Sequence, residues 1–427
     1  MHPNALKLAR YTIYNLVGLG LPLSLALVSI PVLVQALGPA RFGLLALIWA
    51  VTSYFGLFDL GLSRALTQAL AAVLSRGDID QAGRLAATAL LLMAGLGGAG
   101  GVLLGILAPW GVDLLQQVPD RAEAIAATRW MAAALPFIVI TAGLRGMLEA
   151  CHAFGVLNAI RLPMGLWTFA GPWLAVVWGA PDLGSIALAL AIGRLLGCAA
   201  HVMPVLHALP QLRGRMRWDD SLIRPLARAG GWLSLSNVVS PFMGYVDRFV
   251  AGATVSAAAV AWYATPQELV LKLWIVPGAL TAVLLPIFAA RRPDARRLFG
   301  RAVLLLLLSL TPICAGLFFF AEPILAWWIT PDFAAHSAPL LRVFAIGILI
   351  NCLAHMPLTW LHGLGRFRAP ALVHLVELPL YLLALWMFTM HWGLMGAAWA
   401  WLGRMTLDAL ALFALTREEL RDNAAHG

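Results

Sequence analysis

Long apolar runs, broken by short polar segments, repeat along the whole chain. Crossing a bilayer takes roughly 20 apolar residues in a helix. Runs of that kind lie near 12–36, 43–72, 85–109, 124–148, 154–178, 183–208, 231–253, 258–290, 301–322, 337–361, 368–390 and 393–416. The pattern predicts an all-α polytopic membrane protein of about twelve transmembrane helices. The second and eighth runs are long enough to be bent or to pass the membrane surface. Pro210 to Arg228 is the longest polar stretch. It divides the chain into an N-terminal six-helix bundle (1–209), a basic linker (210–229) and a C-terminal six-helix bundle with a short tail (230–427). The halves carry a faint echo: Ala65-Leu66-Thr67 before Arg76-Gly77-Asp78, and Ala279-Leu280-Thr281 before Arg292-Pro293-Asp294. Paired halves of this sort suit a transporter built from repeats.

Composition closes off the soluble alternative. Of 427 residues, 61% are hydrophobic and 11% charged, against roughly 25% charged in a soluble domain. The mean hydropathy is +0.85. The net charge of +9 points to membrane topology, not to nucleic acid, because the arginines stand between apolar runs. One set of connections carries Arg76 and Arg84, then Arg213, Arg215, Arg217, Arg224 and Arg228, then Arg291 to Arg301, Arg366 and Arg368. The alternate set is nearly bare. By the positive-inside bias, both termini are expected in the cytoplasm. Trp110, Trp178, Trp327, Trp328 and Trp392 fall near the predicted outer ends, as an interfacial belt would. Met1 to Arg10 precedes an uncleaved first span. Cys151, Cys198, Cys314 and Cys352 form no CxxC pair, so neither a disulfide nor a metal site is expected.

No HExxH, GxSxG or phosphate-binding Gly-rich loop occurs, so no catalytic residue is assigned. The glycines at 95, 97, 98, 100, 101 and 105 suit close helix packing. Charges inside apolar spans are costly, which makes them the informative residues. They are Asp59 and Arg64 in span two, Arg194 in span six, and Asp247 and Arg248 in span seven. Glu268 and Lys272 lie in span eight, His374 and Glu377 in span eleven, Arg404 and Asp408 in span twelve. Arg404/Asp408 and Arg145/Glu149 have the spacing of self-neutralising helix pairs. Asp247 and Arg248 are adjacent, about 100° apart on a helix. That favours a polar cavity over mutual neutralisation. Prolines in most spans suit helices that bend.

The segments Leu37-Gly38-Pro39-Ala40-Arg41-Phe42-Gly43-Leu44 and Phe58-Asp59-Leu60-Gly61-Leu62-Ser63-Arg64-Ala65, with Asp247-Arg248, Tyr263-Ala264 and Leu285-Pro286, resemble the bacterial polysaccharide and O-antigen flippases. These belong to the multidrug/oligosaccharidyl-lipid/polysaccharide (MOP) exporter superfamily. The resemblance implies two six-helix bundles forming a V around a central cavity. It implies flipping of undecaprenyl-diphosphate-linked oligosaccharide across the bacterial inner membrane by alternating access, in lipopolysaccharide or polysaccharide assembly. Arg64, Arg248, Lys272 and Arg194 are the candidates for binding the anionic lipid diphosphate. Asp59, Asp247, Glu268, Glu377 and His374 are the candidates for coupling or gating. The implied needs are a coupling ion, H⁺ or Na⁺, and no other cofactor or metal. The implied partners are the bilayer, the lipid-linked sugar, and a polysaccharide polymerase or glycosyltransferases. Two other classes stand beside this reading: a multidrug/cation antiporter of the same superfamily, and a membrane glycosyltransferase or polymerase. The short external segments 110–123 and 323–336 leave little room for the catalytic loop of the latter.

Overall fold

A computed structural model describes the backbone of residues 5–55, 61–179 and 181–425, and side chains over 21–53, 61–179, 181–228 and 242–417. Asp59 lies outside the described residues. Every regular element among the described residues is helical. They are α1 (Ala5–Phe55), α2 (Leu62–Ser75), α3 (Ile79–Asp113), α4 (Arg121–Ala150), α5 (Phe154–Val177), α6 (Leu183–Ala208) and α7 (Ile223–Thr254). There follow α8 (Ala257–Leu271), α9 (Ile275–Ala289), α10 (Ala295–Phe319), α11 (Ala321–Trp328), α12 (Pro331–Gly363) and α13 (Arg368–Ala425). Among the described residues nine stretches are long and apolar enough to cross a membrane, and the longest is Arg368–Arg417, of 50 residues.

The longest helices cannot be single crossings. At 1.5 Å per residue, the 58 residues of α13 would reach about 87 Å, nearly three bilayer cores. Gly393 breaks it with φ 57° and ψ −139°, a conformation that suits glycine. A Cβ on Gly396 would collide with the carbonyl of Phe388. Eight residues apart on a straight helix, these two would be about 12 Å apart, so the chain turns back on itself at Gly393. α1 is interrupted in the same way at Gly38, φ 72° and ψ 162°. Both breaks fall where the hydropathy pattern places a connection. The eighth predicted span is bent: α8 and α9 are joined by a 3₁₀ turn, Lys272–Trp274. Pro277 lacks the N–H that the Leu273 carbonyl would otherwise accept, which accounts for the break.

The chain packs as two units that divide at Pro241, inside α7. In the first, α3 and α4 approach closely through small residues. A Cβ on Gly97 would lie 2.8 Å from the Pro136 Cα, and one on Gly101 2.5 Å from the Ala132 carbonyl. Of the predicted glycine run, this i, i+4 pair makes the contact; Gly95, Gly98 and Gly100 face open space. α2 closes on α4 where Gly146 meets the Ser63 carbonyl and Thr67 donates to the Gly146 carbonyl at 3.1 Å. Leu66, Leu70, Met93 and Leu148 fill this core.

In the second unit an aromatic ladder runs through the core. Tyr263 on α8 meets Phe344 on α12 edge-on at 5.0 Å, and Phe344 meets Trp401 on α13 at 5.2 Å. Gly347 leaves the room that the Trp401 ring occupies. This ladder fixes α8 and α13 against α12, and those helices carry the polar residues described next.

Candidate functional site

Charges from α7 and α8 form one buried network. Asp247 and Arg248 are 0% and 2% exposed, and Gln267 is 0% exposed. Gln267 spans the 100° step between the two neighbours. Its Nε2 donates to Asp247 Oδ2 at 2.6 Å, and its Oε1 accepts from Arg248 Nε and Nη2 at 3.1 and 3.0 Å. An amide has a donor end for the anion and an acceptor end for the cation, so one orientation satisfies both. Tyr263 donates its hydroxyl to Asp247 Oδ2 at 2.9 Å, and the Arg248 amide donates to Asp247 Oδ1 at 2.9 Å. The sequence expectation of two neighbours unable to compensate each other gives way here to indirect compensation through a third residue.

The network continues outward along α8. Arg248 Nη2 donates to Glu268 Oε1 at 2.8 Å, and Lys272 Nζ to Glu268 Oε2 at 2.7 Å. The i, i+4 spacing of Glu268 and Lys272 is realised. Arg248 also lies over the Tyr245 ring, 5.2 Å from its centroid. Two carboxylates and two cations balance formally. The inner end is sealed, while the Lys272 side chain is 43% exposed. Lys272 stands at the 3₁₀ break, beside Trp274, whose Nε1 donates to Asn351 at 2.8 Å.

A second cluster forms across the α13 hairpin. Glu377 and Asp408 stand 16 and 15 residues either side of Gly393, so the turn brings them to one depth. His374, Glu377 and Asp408 each offer a ligand atom within 4.8 Å of the others. His374 Nε2 is 3.4 Å from Asp408 Oδ1. Glu377 is 6% exposed, yet neither of its carboxylate oxygens has a hydrogen-bond partner among the described residues. Arg404, expected to pair with Asp408, instead stacks its guanidinium 5.5 Å from the Tyr381 ring centroid, and Asp408 turns to His374. Arg145 and Glu149 likewise make no ion pair among the described residues.

The remaining basic candidates belong to the first unit. Arg64 is exposed on the first turn of α2. Arg194 is half-buried on α6 and makes no hydrogen bond or ion pair among the described residues. Sequence reasoning assigned no role to Gln267, Tyr263 or Tyr381. The i, i+4 spacing of Tyr263 and Gln267 inside an apolar span was the available signal.

A helical membrane protein of two units, with charge networks inside its spans, has the make-up of a polytopic transporter. Its fold is that of the MOP superfamily. An inward-facing multidrug resistance MATE family transporter of that superfamily aligns with TM-score 0.80 over 95% of this chain and 98% of its own, at 14% identity. The lipid II flippase MurJ, in an inward closed conformation, aligns with TM-score 0.67 over 89% and 86%, at 13% identity. The chain belongs to the polysaccharide biosynthesis protein family, whose sequence profile matches residues 8–291. A Shigella flexneri protein, provisionally described as an O-antigen transporter, is 27% identical over 410 residues, 95% of this chain and 97% of its own length.

Proposed function

We propose that this protein flips an oligosaccharide carried on undecaprenyl diphosphate across the bacterial inner membrane by alternating access. Family membership and the O-antigen transporter relative support the substrate class. The carrying observation is the α7–α8 network, whose charges balance internally and whose outermost cation, Lys272, stays accessible. A lipid diphosphate is an anion that must cross a low-dielectric layer, and an accessible ammonium offsets part of its desolvation. Arg64 and Arg194 supply further cations on the first unit. Arg248 is enclosed, so its part is to hold Glu268 and through it Lys272.

Coupling falls to the α13 cluster. A buried carboxylate without a hydrogen bond is costly. A proton or a Na⁺ ion among His374, Glu377 and Asp408 would remove that cost, which is how a gradient could bias the transporter. Asp247 and Glu268 already have their oxygens engaged, which makes them positioning groups; Asp59 stays a gating candidate on sequence grounds. The arginine-rich connections favour cytoplasmic termini. The expected partners are a polysaccharide polymerase and glycosyltransferases that consume and supply the lipid-linked sugar.

The test is transport per folded molecule. Losing one charge-assisted contact costs roughly 1.5–3 kcal/mol, about tenfold to a hundredfold in affinity. Lys272→Met should weaken transport on that scale with an unchanged unfolding temperature. Full activity in Lys272→Met would remove the anion site from α8.

A further inference from the structure

The linker after α6 is folded onto the first unit and leaves a basic, apolar-floored cavity. Arg213, Arg215 and Arg217 alternate along it, and the middle one is the anchor. Arg215 Nε pairs with Asp80 Oδ1 at 2.9 Å at the start of α3. The approach is close: a Cβ on Gly83 would lie 2.5 Å from the Arg215 carbonyl oxygen. Asp219 completes the anchor. Its amide donates to Thr88 Oγ1 at 3.0 Å, and its carboxylate lies 3.6 Å from Arg84. Gly214, at φ +75°, supplies the left-handed turn between Arg213 and Arg215.

Arg213 and Arg217 are left on the other side. With Gly214 and Met216 they line a cavity of about 370 Å³ whose floor is Val205, Leu206, Leu209, Leu212 and Met147. The one hydrogen bond of the Arg213 guanidinium among the described residues goes to the Leu206 carbonyl, at 3.3 Å. Arg217 makes none. Among the described residues no carboxylate lines the cavity. Its floor continues the α6 surface that carries the exposed Leu195, Leu196, Val202 and Met203, side chains that meet acyl chains in a bilayer. Met216 and Trp218, both exposed, flank the arginines as interfacial residues do.

We propose that this cavity is a binding site for an anionic phospholipid of the surrounding membrane, independent of the transported substrate. One acyl chain enters along α6 past Val202 and Met203 and meets Leu206, the half-buried member of the apolar floor. The headgroup phosphate sits between Arg213 and Arg217, where the guanidinium forks suit its oxygens. A soluble phosphate ester matches the arginines but not the apolar floor, which is why a lipid is the occupant. Arg215 serves the site indirectly, by pinning the linker to α3.

Reconstitution tests it. Thermal unfolding is measured in vesicles of phosphatidylcholine alone and of phosphatidylcholine mixed with phosphatidylglycerol. A lipid bound to the folded state raises the unfolding temperature. The intact protein should gain stability from phosphatidylglycerol. Arg213→Gln/Arg217→Gln should lose that gain, and Arg213→Lys/Arg217→Lys should keep part of it. Arg224→Gln/Arg228→Gln removes the same charge from the start of α7, outside the cavity, and should keep the gain whole. No phosphatidylglycerol effect on the intact protein would overturn the site. So would equal loss in the two glutamine pairs, which would mean general surface attraction, or an equal gain from glycerol 3-phosphate added to phosphatidylcholine vesicles.

Discussion

Gln267 is the residue on which the buried network turns, because it meets the anion with its donor and the cation with its acceptor. Gln267→Leu keeps the approximate volume and removes both ends. Asp247 then keeps only Tyr263 and the Arg248 amide, and Arg248 Nε has no acceptor. Each buried group left unsatisfied costs about 1–3 kcal/mol. Gln267→Leu should therefore lower the unfolding temperature in detergent clearly more than Lys272→Met does. Equal stability of the two would mean that Asp247 and Arg248 do not depend on the bridge. The charged members were legible in the sequence because a charge in an apolar run stands out. The bridging roles of Gln267 and Tyr263 were not, since neutral polar residues are cheap enough to occur in many spans. Their role appears only once α8 packs on α7.

Asp219 ties protonation to the linker. Its carboxylate accepts from the Ser221 hydroxyl and amide at 2.5 and 3.0 Å, and with Arg84 nearby it is held below the ordinary 3.8. Its folded value is lower than its unfolded one, so its contribution is complete above 3.8 and is lost as pH falls through the folded value. A spin label at Met216→Cys should become more mobile over that acidic range. Asp219→Asn should show the mobile linker already at neutral pH and little further change. A label indifferent to both would mean that Arg215 alone anchors the segment.

At the scale of elements, two helix breaks decide the number of crossings. Gly393 and Gly396 permit the α13 hairpin, one by its backbone conformation and the other by its missing side chain. Gly396→Val sets side-chain atoms against the Phe388 carbonyl. It should separate the halves of α13 and with them the His374–Glu377–Asp408 cluster, giving a loss of folded protein much larger than Gly95→Val. A well-folded Gly396→Val protein would contradict the hairpin. The cap of α6 is a gentler test: Asp182 accepts from the Ser185 amide at 2.8 Å, and Asp182→Ala should cost about 1 kcal/mol. The hydropathy pattern marked the hairpin because His391 and Trp392 separate two apolar runs. The length of the eighth run marked it as one that could be bent, but not where; the short helix α11 was not marked, because it does not change the apolar count. A proline removes a hydrogen bond without changing hydropathy, so the position of the bend at 272–274 had to come from geometry.

For the whole molecule, the sequence pattern carries the membrane class. Packing separates two units at Pro241, inside a helix. The arginine distribution favours cytoplasmic termini, and labelling checks that expectation. A cysteine at Ser221 should react only from the cytoplasm and one at Ser185 only from the periplasm; the reverse would invert the topology. The site is divided in the same way. Its intramembrane charges could be picked from the sequence, but their grouping into an α7–α8 network and an α13 cluster could not, because the second exists only through a turn that joins residues 31 apart.

The most direct measurement is flipping itself. The purified protein is reconstituted in liposomes with undecaprenyl-diphosphate-linked oligosaccharide, and substrate exposure is followed with an imposed H⁺ or Na⁺ gradient. The account predicts gradient-dependent exposure of the lipid-linked sugar. The exposure should be weakened by Lys272→Met and, in Glu377→Gln, should lose its dependence on the gradient. Efflux of a cationic dye with no movement of the lipid-linked sugar would contradict it, and would make the protein a cation antiporter instead.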